Sequence, residues 1–169
     1  HHIKKVLLTA PMMQVNTAPY TENTARLLTR LLIAVGKATK YAPDRGPYVP
    51  DEDTFEANDV TSSPERFEAT KYLFVQFPHL TLGGPTTRWV LESLLSTKTI
   101  DALASKISIP VLMYQAGKDQ IVFPGRQDQF CANSSNCTKI SFPESQHEIF
   151  QEKDYIRDPA MKTMLDFFQ

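Results

Sequence analysis

The sequence lacks a hydrophobic run long enough to cross a membrane, because its longest, Leu31 to Val35, falls far short of the ~20 residues that a spanning helix needs. It also lacks an excess of one charge: 18 Lys and Arg face 19 Asp and Glu, for a net charge of -1. Nucleic-acid binding normally needs a basic surface, so we expect no nucleic-acid partner. Glycine is scarce, with 6 residues against 12 prolines, which excludes a collagen-like chain. The 169 residues, 41% of them hydrophobic, suit one globular domain with a core of its own.

Cysteine is scarce too, since Cys131 and Cys137 are the only two. No signal peptide is visible, so the default prediction is two reduced thiols in a cytoplasmic protein, with a disulfide across the short loop as the alternative. Two sulfurs without further soft ligands nearby are too few for a zinc site. We therefore expect no metal site. We also expect no cofactor.

The chain starts His1-His2-Ile3, and an apolar stretch follows at once from Val6. A His-His start is more typical of an expression-tag remnant than of a pair of ligands. A buried strand so near the first residue indicates that the chain begins in the middle of a fold. We therefore expect a piece of a longer protein.

Two kinds of pattern divide the chain. Short apolar runs bounded by proline or glycine predict buried strands at Ile3–Ala10, Val111–Ala116 and Lys139–Phe142. Helical spacing, serine or threonine caps and prolines at first turns predict helices at Thr21–Lys37, from Pro64 to before Pro78, from Thr86 or Thr87 to Leu95 with another turn at Ile100–Ala104, at Gly125–Phe130, and from Pro159 onward.

The predicted strands lie at the two ends of the chain, and only helices and loops lie between them. Buried strands separated by helices predict a parallel sheet of the α/β class. We therefore expect a partial α/β core, residues 3–14 and 106–169, that carries an inserted, mainly helical cap, residues 15–105.

Asp119 and His147 are the candidate catalytic pair. Each follows a predicted strand, and parallel strands place their carboxyl ends at one edge of a sheet, where ligands bind. A carboxylate that accepts the His Nδ1 proton fixes the tautomer and leaves Nε2 free as a base. The alternative is a surface Asp and a loop His that never touch.

A nucleophile for this pair is missing from the sequence. The glycines are at positions 36, 46, 83, 84, 117 and 125, and no two are four apart, so there is no Gly-x-Ser-x-Gly motif. Cys131 and Cys137 lie between the acid and the base, which is the wrong order, and Ser93 and Ser96 lie on a predicted helix. We therefore expect the nucleophile upstream of this chain, and the chain alone to be inactive.

Several segments resemble a known family. They are Leu8 to Met12, Gly83 to Thr86 with Trp89, Glu92 and Ser93, and His147 to Ile149 with Glu152 and the closing Asp166 to Phe168. In these the chain resembles the monoglyceride-lipase-like α/β-hydrolases, with greater similarity to bacterial lysophospholipases of the L-two type. The resemblance covers nearly all of residues 4–169 and implies the C-terminal part of an α/β-hydrolase sheet, its last parallel strands and flanking helices, with the cap inserted.

The resemblance also implies chemistry. Asp119 would be the triad acid and His147 the triad base of a carboxylic-ester hydrolase that removes the acyl chain of a lysophospholipid or of monoacylglycerol. Trp89 and Phe74 are the cap aromatics expected to contact such a substrate. A lipid substrate also implies peripheral contact with the inner membrane.

Two other interpretations stay open. The chain could be a lipid-binding cap module without chemistry, or an inactive half that needs a partner chain.

A strand at Val6 to Ala10 without its upstream neighbour would leave an apolar sheet edge exposed. We therefore expect self-association.

Overall fold

The computed structural model describes residues 3–169, with the backbone alone at position 101. Its strands are β1 (Val6–Thr9), β2 (Val111–Ala116) and β3 (Cys137–Phe142). Its helices are α1 (Glu22–Ala34), α2 (Pro64–Gln76), α3 (Thr87–Ala104), α4 (Pro124–Asn133) and α5 (Asp154–Phe168), with short 3₁₀ turns at Phe55–Ala57, Pro78–Leu80 and Ile149–Gln151. The interpretation of His1-His2 as a tag remnant lies outside the described residues.

The three strands form one parallel sheet in the order β1-β2-β3. The central strand β2 is buried along its whole length, and its side chains alternate between two apolar clusters. Leu112 and Tyr114 pack with α5, whereas Met113 packs with Ala104 of α3 and Phe130 of α4. Helices cover both faces of the sheet, which is why the β2 sequence is apolar apart from Gln115, whose amide donates to Asp128. The predicted α/β class is therefore confirmed.

The helix starts follow the predicted capping chemistry. The side chains of Thr21, Ser63 and Thr86 each accept a hydrogen bond from the backbone N–H three residues later, at the starts of α1, α2 and α3. Between β1 and β2 the described residues form helices, turns and loops, with no strand beyond isolated bridges at Val15, Tyr41 and Thr86. Ala104 of α3 joins the cluster behind β2, so the last cap helix packs directly on the sheet. The domain boundary at residues 105 and 106 stays a prediction.

The prediction that the last helix begins at Pro159 is wrong. Helix α5 begins at Asp154 and continues through Pro159, although proline lacks the N–H that would pair with the Tyr155 carbonyl. Ile156 and Ala160 are buried against the sheet, and the Tyr114 hydroxyl donates to the Ala160 carbonyl at 2.7 Å. This tertiary packing on either side of the proline outweighs its local preference for a first turn.

The default prediction of two reduced thiols is also wrong. Cys131 and Cys137 form a disulfide, with their Cα atoms 5.2 Å apart. The last turn of α4 carries one cysteine and the first residue of β3 the other, so the tight connection brings the two sulfurs together. This is the alternative that the short spacing had left open.

Gly117 connects β2 to the loop that carries Asp119. A Cβ at this position would lie 2.5 Å from the carbonyl oxygen and 2.6 Å from the Cα of Pro143, and neither backbone atom can rotate away. We expect Gly117→Ala to lower the free energy of unfolding by about 1–3 kcal/mol, the usual range for overpacking. Gly46→Ala is the control, since a Cβ there meets nothing within 4 Å. Urea denaturation measures both, and equal losses would contradict the prediction.

Within residues 3–169, none of the helices combines the length and the apolarity that a membrane span requires. In this part of the chain β1 pairs with β2 and forms one edge of the sheet. Self-association through that edge stays a prediction.

Candidate active site

The sheet topology brings Asp119 and His147 together. Asp119 lies three residues beyond the end of β2, and His147 lies five residues beyond the end of the neighbouring β3. Because the two strands are parallel neighbours, both loops emerge at one edge. The His147 Nδ1 atom lies 2.8 Å from Asp119 Oδ2, a hydrogen-bond distance. Of the two arrangements considered from the sequence, the structure has the one in which the side chains meet.

The Asp119 carboxylate is fixed on both oxygens. Its side chain is 1% exposed, and Oδ1 accepts hydrogen bonds from the backbone N–H groups of Ile121 (2.8 Å) and Val122 (3.0 Å). Burial alone would raise the pKa of this carboxyl group, but the hydrogen bonds with His147 and the two N–H groups outweigh burial and lower it. Asp119 is therefore a charged, immobile partner for the imidazole.

The His147 ring is held on one side and open on the other. Its side chain is 21% exposed, while its neighbour Ile149 is buried in the core. The hydrogen bond to Asp119 raises the pKa of His147 above its usual value of 6.5, the charges of Asp119 and Glu148 act in the same direction, and burial opposes them. With Nδ1 bound to a carboxylate, Nε2 is the nitrogen free to take up a proton.

Because Asp119 raises the pKa of His147, the stability of the fold and the ability of His147 to act as a base depend on pH in opposite directions. Because the folded-state pKa of His147 is raised, its stabilising effect is fully present below pH 6.5 and is lost as the pH rises through the folded-state pKa. We expect His147→Gln to reduce the free energy of unfolding more near about pH 5 than near about pH 8. Urea denaturation at both pH values measures this, and a loss independent of pH would contradict it. A general base must be neutral, so activity should instead rise over the same interval.

The loop that carries His147 rests on the cap. The His147 N–H points to the Asp59 carbonyl at 3.4 Å, and the Glu148 N–H donates to the Val60 carbonyl at 2.8 Å. Beside these contacts lies a cavity of about 400 Å³. It is lined by Tyr48, Asp53, Val60, Thr61, Phe67, Thr70, Lys71, Phe74, Glu148 and Gln151. The cavity thus extends from the cap to the residue next to His147.

The two aromatic side chains expected to contact substrate lie in different places. Phe74 of α2 lines the cavity and packs edge-on against the Tyr48 ring at 5.5 Å. Trp89 lies in the first turn of α3, is 51% exposed and is not among the residues that line the cavity. Their roles in substrate binding stay predictions.

The other nucleophile candidates are unsuited to the role. Cys131 and Cys137 are bonded to each other, so neither sulfur is a free thiolate. Ser93 and Ser96 lie on α3, and Ser93 is buried. In the described part of the chain, no group of three or more His, Cys, Asp or Glu side chains is arranged to hold a metal ion.

Sequence reasoning missed the role of Glu152. The sequence shows it only as part of the segment that resembles a known family, and a glutamate is rarely buried without partners. In the structure its side chain is fully buried and accepts hydrogen bonds from Gln146 and Ser62. The only signal was its place five residues after His147.

Comparisons with known proteins find curated relatives that match most of this chain. A probable lysophospholipase L2 of Haemophilus influenzae is 28% identical over 167 residues, which are 99% of this chain and 52% of that protein. The lysophospholipase L2 of Escherichia coli K12 is 30% identical over 121 residues, 68% of this chain and 36% of the relative. The chain thus spans about half the length, or less, of these relatives.

Solved structures show the same architecture. The soluble variant of monoglyceride lipase from Saccharomyces cerevisiae superposes with a TM-score of 0.66 at 15% identity, covering 97% of this chain and 52% of that one. The monoacylglycerol lipase of Paleococcus ferrophilus gives 0.62 at 15% identity, with 97% and 58% covered. At such identities the likeness concerns the fold.

The family assignment rests on a match to a family model over most of the chain. Residues 1–154 match the family Hydrolase_4, described as serine aminopeptidase, S33. The match includes β1, the cap, β2, β3 and both Asp119 and His147. The resemblance found in the sequence is confirmed, and the chain belongs to this α/β-hydrolase family.

Proposed function

We propose that this chain carries the acid and the base of a serine carboxylic-ester hydrolase that removes the acyl chain of a lysophospholipid. The observation that carries the proposal is the 2.8 Å contact between His147 Nδ1 and buried Asp119 at the carboxyl edge of the sheet. The family match supports a serine hydrolase, and the names of the curated relatives support ester cleavage and the lysophospholipid substrate. The nucleophilic serine would come from residues outside this chain.

The geometry of the pair supports the following steps. His147 Nε2 takes the serine proton as the hydroxyl oxygen attacks the ester carbonyl, and a tetrahedral intermediate forms. The imidazolium then donates that proton to the leaving glycerol oxygen, and an acyl-enzyme remains. Water, activated in the same way, releases the fatty acid and restores the serine. Asp119 stays ionised throughout and stabilises the imidazolium.

The cavity beside His147 is our proposed place for part of the lipid. Phe67, Phe74 and Val60 offer apolar surface to an acyl chain, whereas Lys71 and Asp53 are charged residues that line the same cavity. We assign Phe74 to the acyl chain on this basis. Trp89, half exposed on α3, is proposed to contact lipid at the outer surface of the cap, where the protein would touch a membrane peripherally.

Fatty-acid release tests the proposal. The 169-residue chain and the longest reading frame that contains it are incubated with lysophosphatidylcholine, with monoacylglycerol and with a short-chain p-nitrophenyl ester. We expect the longer protein to hydrolyse lysophosphatidylcholine in preference to monoacylglycerol, and this chain alone to hydrolyse none. Preference for monoacylglycerol would correct the substrate, and turnover by this chain alone would place the nucleophile within it.

A second candidate is a lipid-binding module without chemistry. The observation that favours it is the partly enclosed cavity between the cap and the His147 loop. Saturable binding of a fatty acid, with no ester turnover by the longer protein, would support this candidate over the hydrolase.

A further inference from the structure

The cap holds the loop that carries His147 through several hydrogen bonds. We name the two segments involved, residues 59–66 of the cap and 146–154 of the core, the clasp. The Thr61 hydroxyl donates to the Gln151 carbonyl at 2.6 Å, and Arg66 donates to the Glu152 carbonyl and to Asp154 Oδ1, both at 2.5 Å. The segments meet although they are about 90 residues apart in the chain. The His147 loop therefore depends on the cap for its position.

Glu152 is the centre of the clasp. Its side chain is fully buried, yet both carboxylate oxygens have donors. Oε1 accepts from the Gln146 N–H at 2.6 Å, whereas Oε2 accepts from the N–H of Ser62 at 3.0 Å and from the Ser62 hydroxyl at 2.5 Å. One carboxylate thus bridges the loop directly before α2 to the residue directly before His147.

We infer that Glu152 is a positioning residue, which keeps His147 aligned with Asp119 by joining the Gln146 backbone to the cap at Ser62. The inference rests on the proposed role of His147 as the base. Glu152 is not a catalytic residue, since it acts through Gln146 and the loop.

A carboxylate suits this position for a physical reason. Donors approach from two sides, and only a group with acceptor oxygens on both sides satisfies them. An amide would turn its own NH₂ group toward one of the donors and leave it unpaired in a buried place, which is costly. Misplacement of a catalytic group by about 1 Å can reduce the rate about 100-fold, so a loop base needs such a support.

The competing explanation is that Glu152 merely fastens the cap. Arg66 separates the two explanations, because it also joins the cap to residues 152 and 154 but its hydrogen bonds do not involve Gln146. A further control is Glu144, an exposed carboxylate of the same loop that bonds the Tyr155 hydroxyl. Loss of Arg66 or Glu144 should leave the His147 ring in place.

The test uses NMR of the histidine-labelled 169-residue chain. Two signals report the alignment: the downfield Nδ1–H proton in the bond to Asp119, and the titration of the His147 ring. The hydrogen bond with Asp119 is the first cause of the raised pKa of His147, so loss of that bond lowers the pKa, and the downfield Nδ1–H signal reports the bond itself. We expect Glu152→Gln to remove the downfield signal and to bring the pKa down toward 6.5, its usual value. Arg66→Met and Glu144→Gln should change neither.

Each outcome decides the inference. A folded Glu152→Gln variant with unaltered His147 signals would overturn it, as would an equal change in Arg66→Met. If Glu152→Gln does not fold, Ser62→Ala replaces it: a smaller change in the same direction supports the inference, and no change overturns it. These signals need no ester turnover, so a failure of the proposed hydrolysis would be seen separately.

Discussion

Ester turnover by the nucleophile-bearing protein should fall about 10⁴-fold or more in His147→Ala, since loss of a triad base leaves only substrate binding and oxyanion stabilisation. At 1.36 kcal/mol for each factor of ten, this is about 5 kcal/mol of transition-state stabilisation or more. The reason is structural: Nδ1 of this ring is bound to Asp119, which leaves Nε2 as the proton acceptor.

His79→Ala is the matched control for that experiment. His79 is an exposed histidine in the turn Pro78–Leu80, where its ring contacts that of Phe77. Its removal should leave kcat/KM within about twofold, as is usual for a surface change. Initial rates with a p-nitrophenyl ester measure both variants, and circular dichroism verifies their folding. A His147→Ala variant as active as His79→Ala would exclude His147 as the base.

Asp119→Asn should have the second largest effect, a loss of about 10⁴-fold in kcat. The backbone N–H groups of Ile121 and Val122 favour an oxygen at Oδ1, so the introduced NH₂ group would face His147 Nδ1. The ring must then carry its proton on Nε2, the wrong tautomer for a base. Loss of the negative charge also removes the main cause of the raised pKa of His147.

Asp128→Asn serves as the control for Asp119→Asn. Asp128 of α4 also has a lowered pKa, caused mainly by its hydrogen bond with Lys139. Loss of that ion pair should leave kcat unchanged, because Asp128 bonds to Lys139 and Gln115 and not to His147. Rates from pH profiles and the His147 titration by NMR report the outcome. Full activity of Asp119→Asn would contradict a triad role for Asp119.

Local patterns were sufficient to predict much of the fold. The bounds of β2 follow from an apolar run between Pro110 and Gly117, and the caps at Ser63 and Thr86 follow from side-chain chemistry that needs only neighbours in sequence. The start of α5 could not be predicted in this way. Its course through Pro159 depends on burial against β2, a contact between residues 46 positions apart.

In the candidate site, too, residues placed by local patterns could be predicted from the sequence, and residues placed by tertiary contacts could not. Asp119 and His147 could be identified because both follow strands whose parallel pairing the sequence predicts. The cavity at Phe74 and the buried carboxylate of Glu152 could not, because each depends on how the cap folds back onto the core. No local pattern encodes that docking, since Ser62 and Glu152 are 90 residues apart.

The central strand β2 has a consequence for how this protein can evolve. It fills both apolar layers with alternate side chains, and the same strand ends three residues before Asp119. A substitution in β2 that shifts the strand by a fraction of an ångström therefore moves the acid as well as the packing. We therefore expect substitutions at Leu112, Met113 or Tyr114 to change stability and activity together. In a library of variants, gains in thermal tolerance should come from surface and cap positions, while β2 stays nearly invariant.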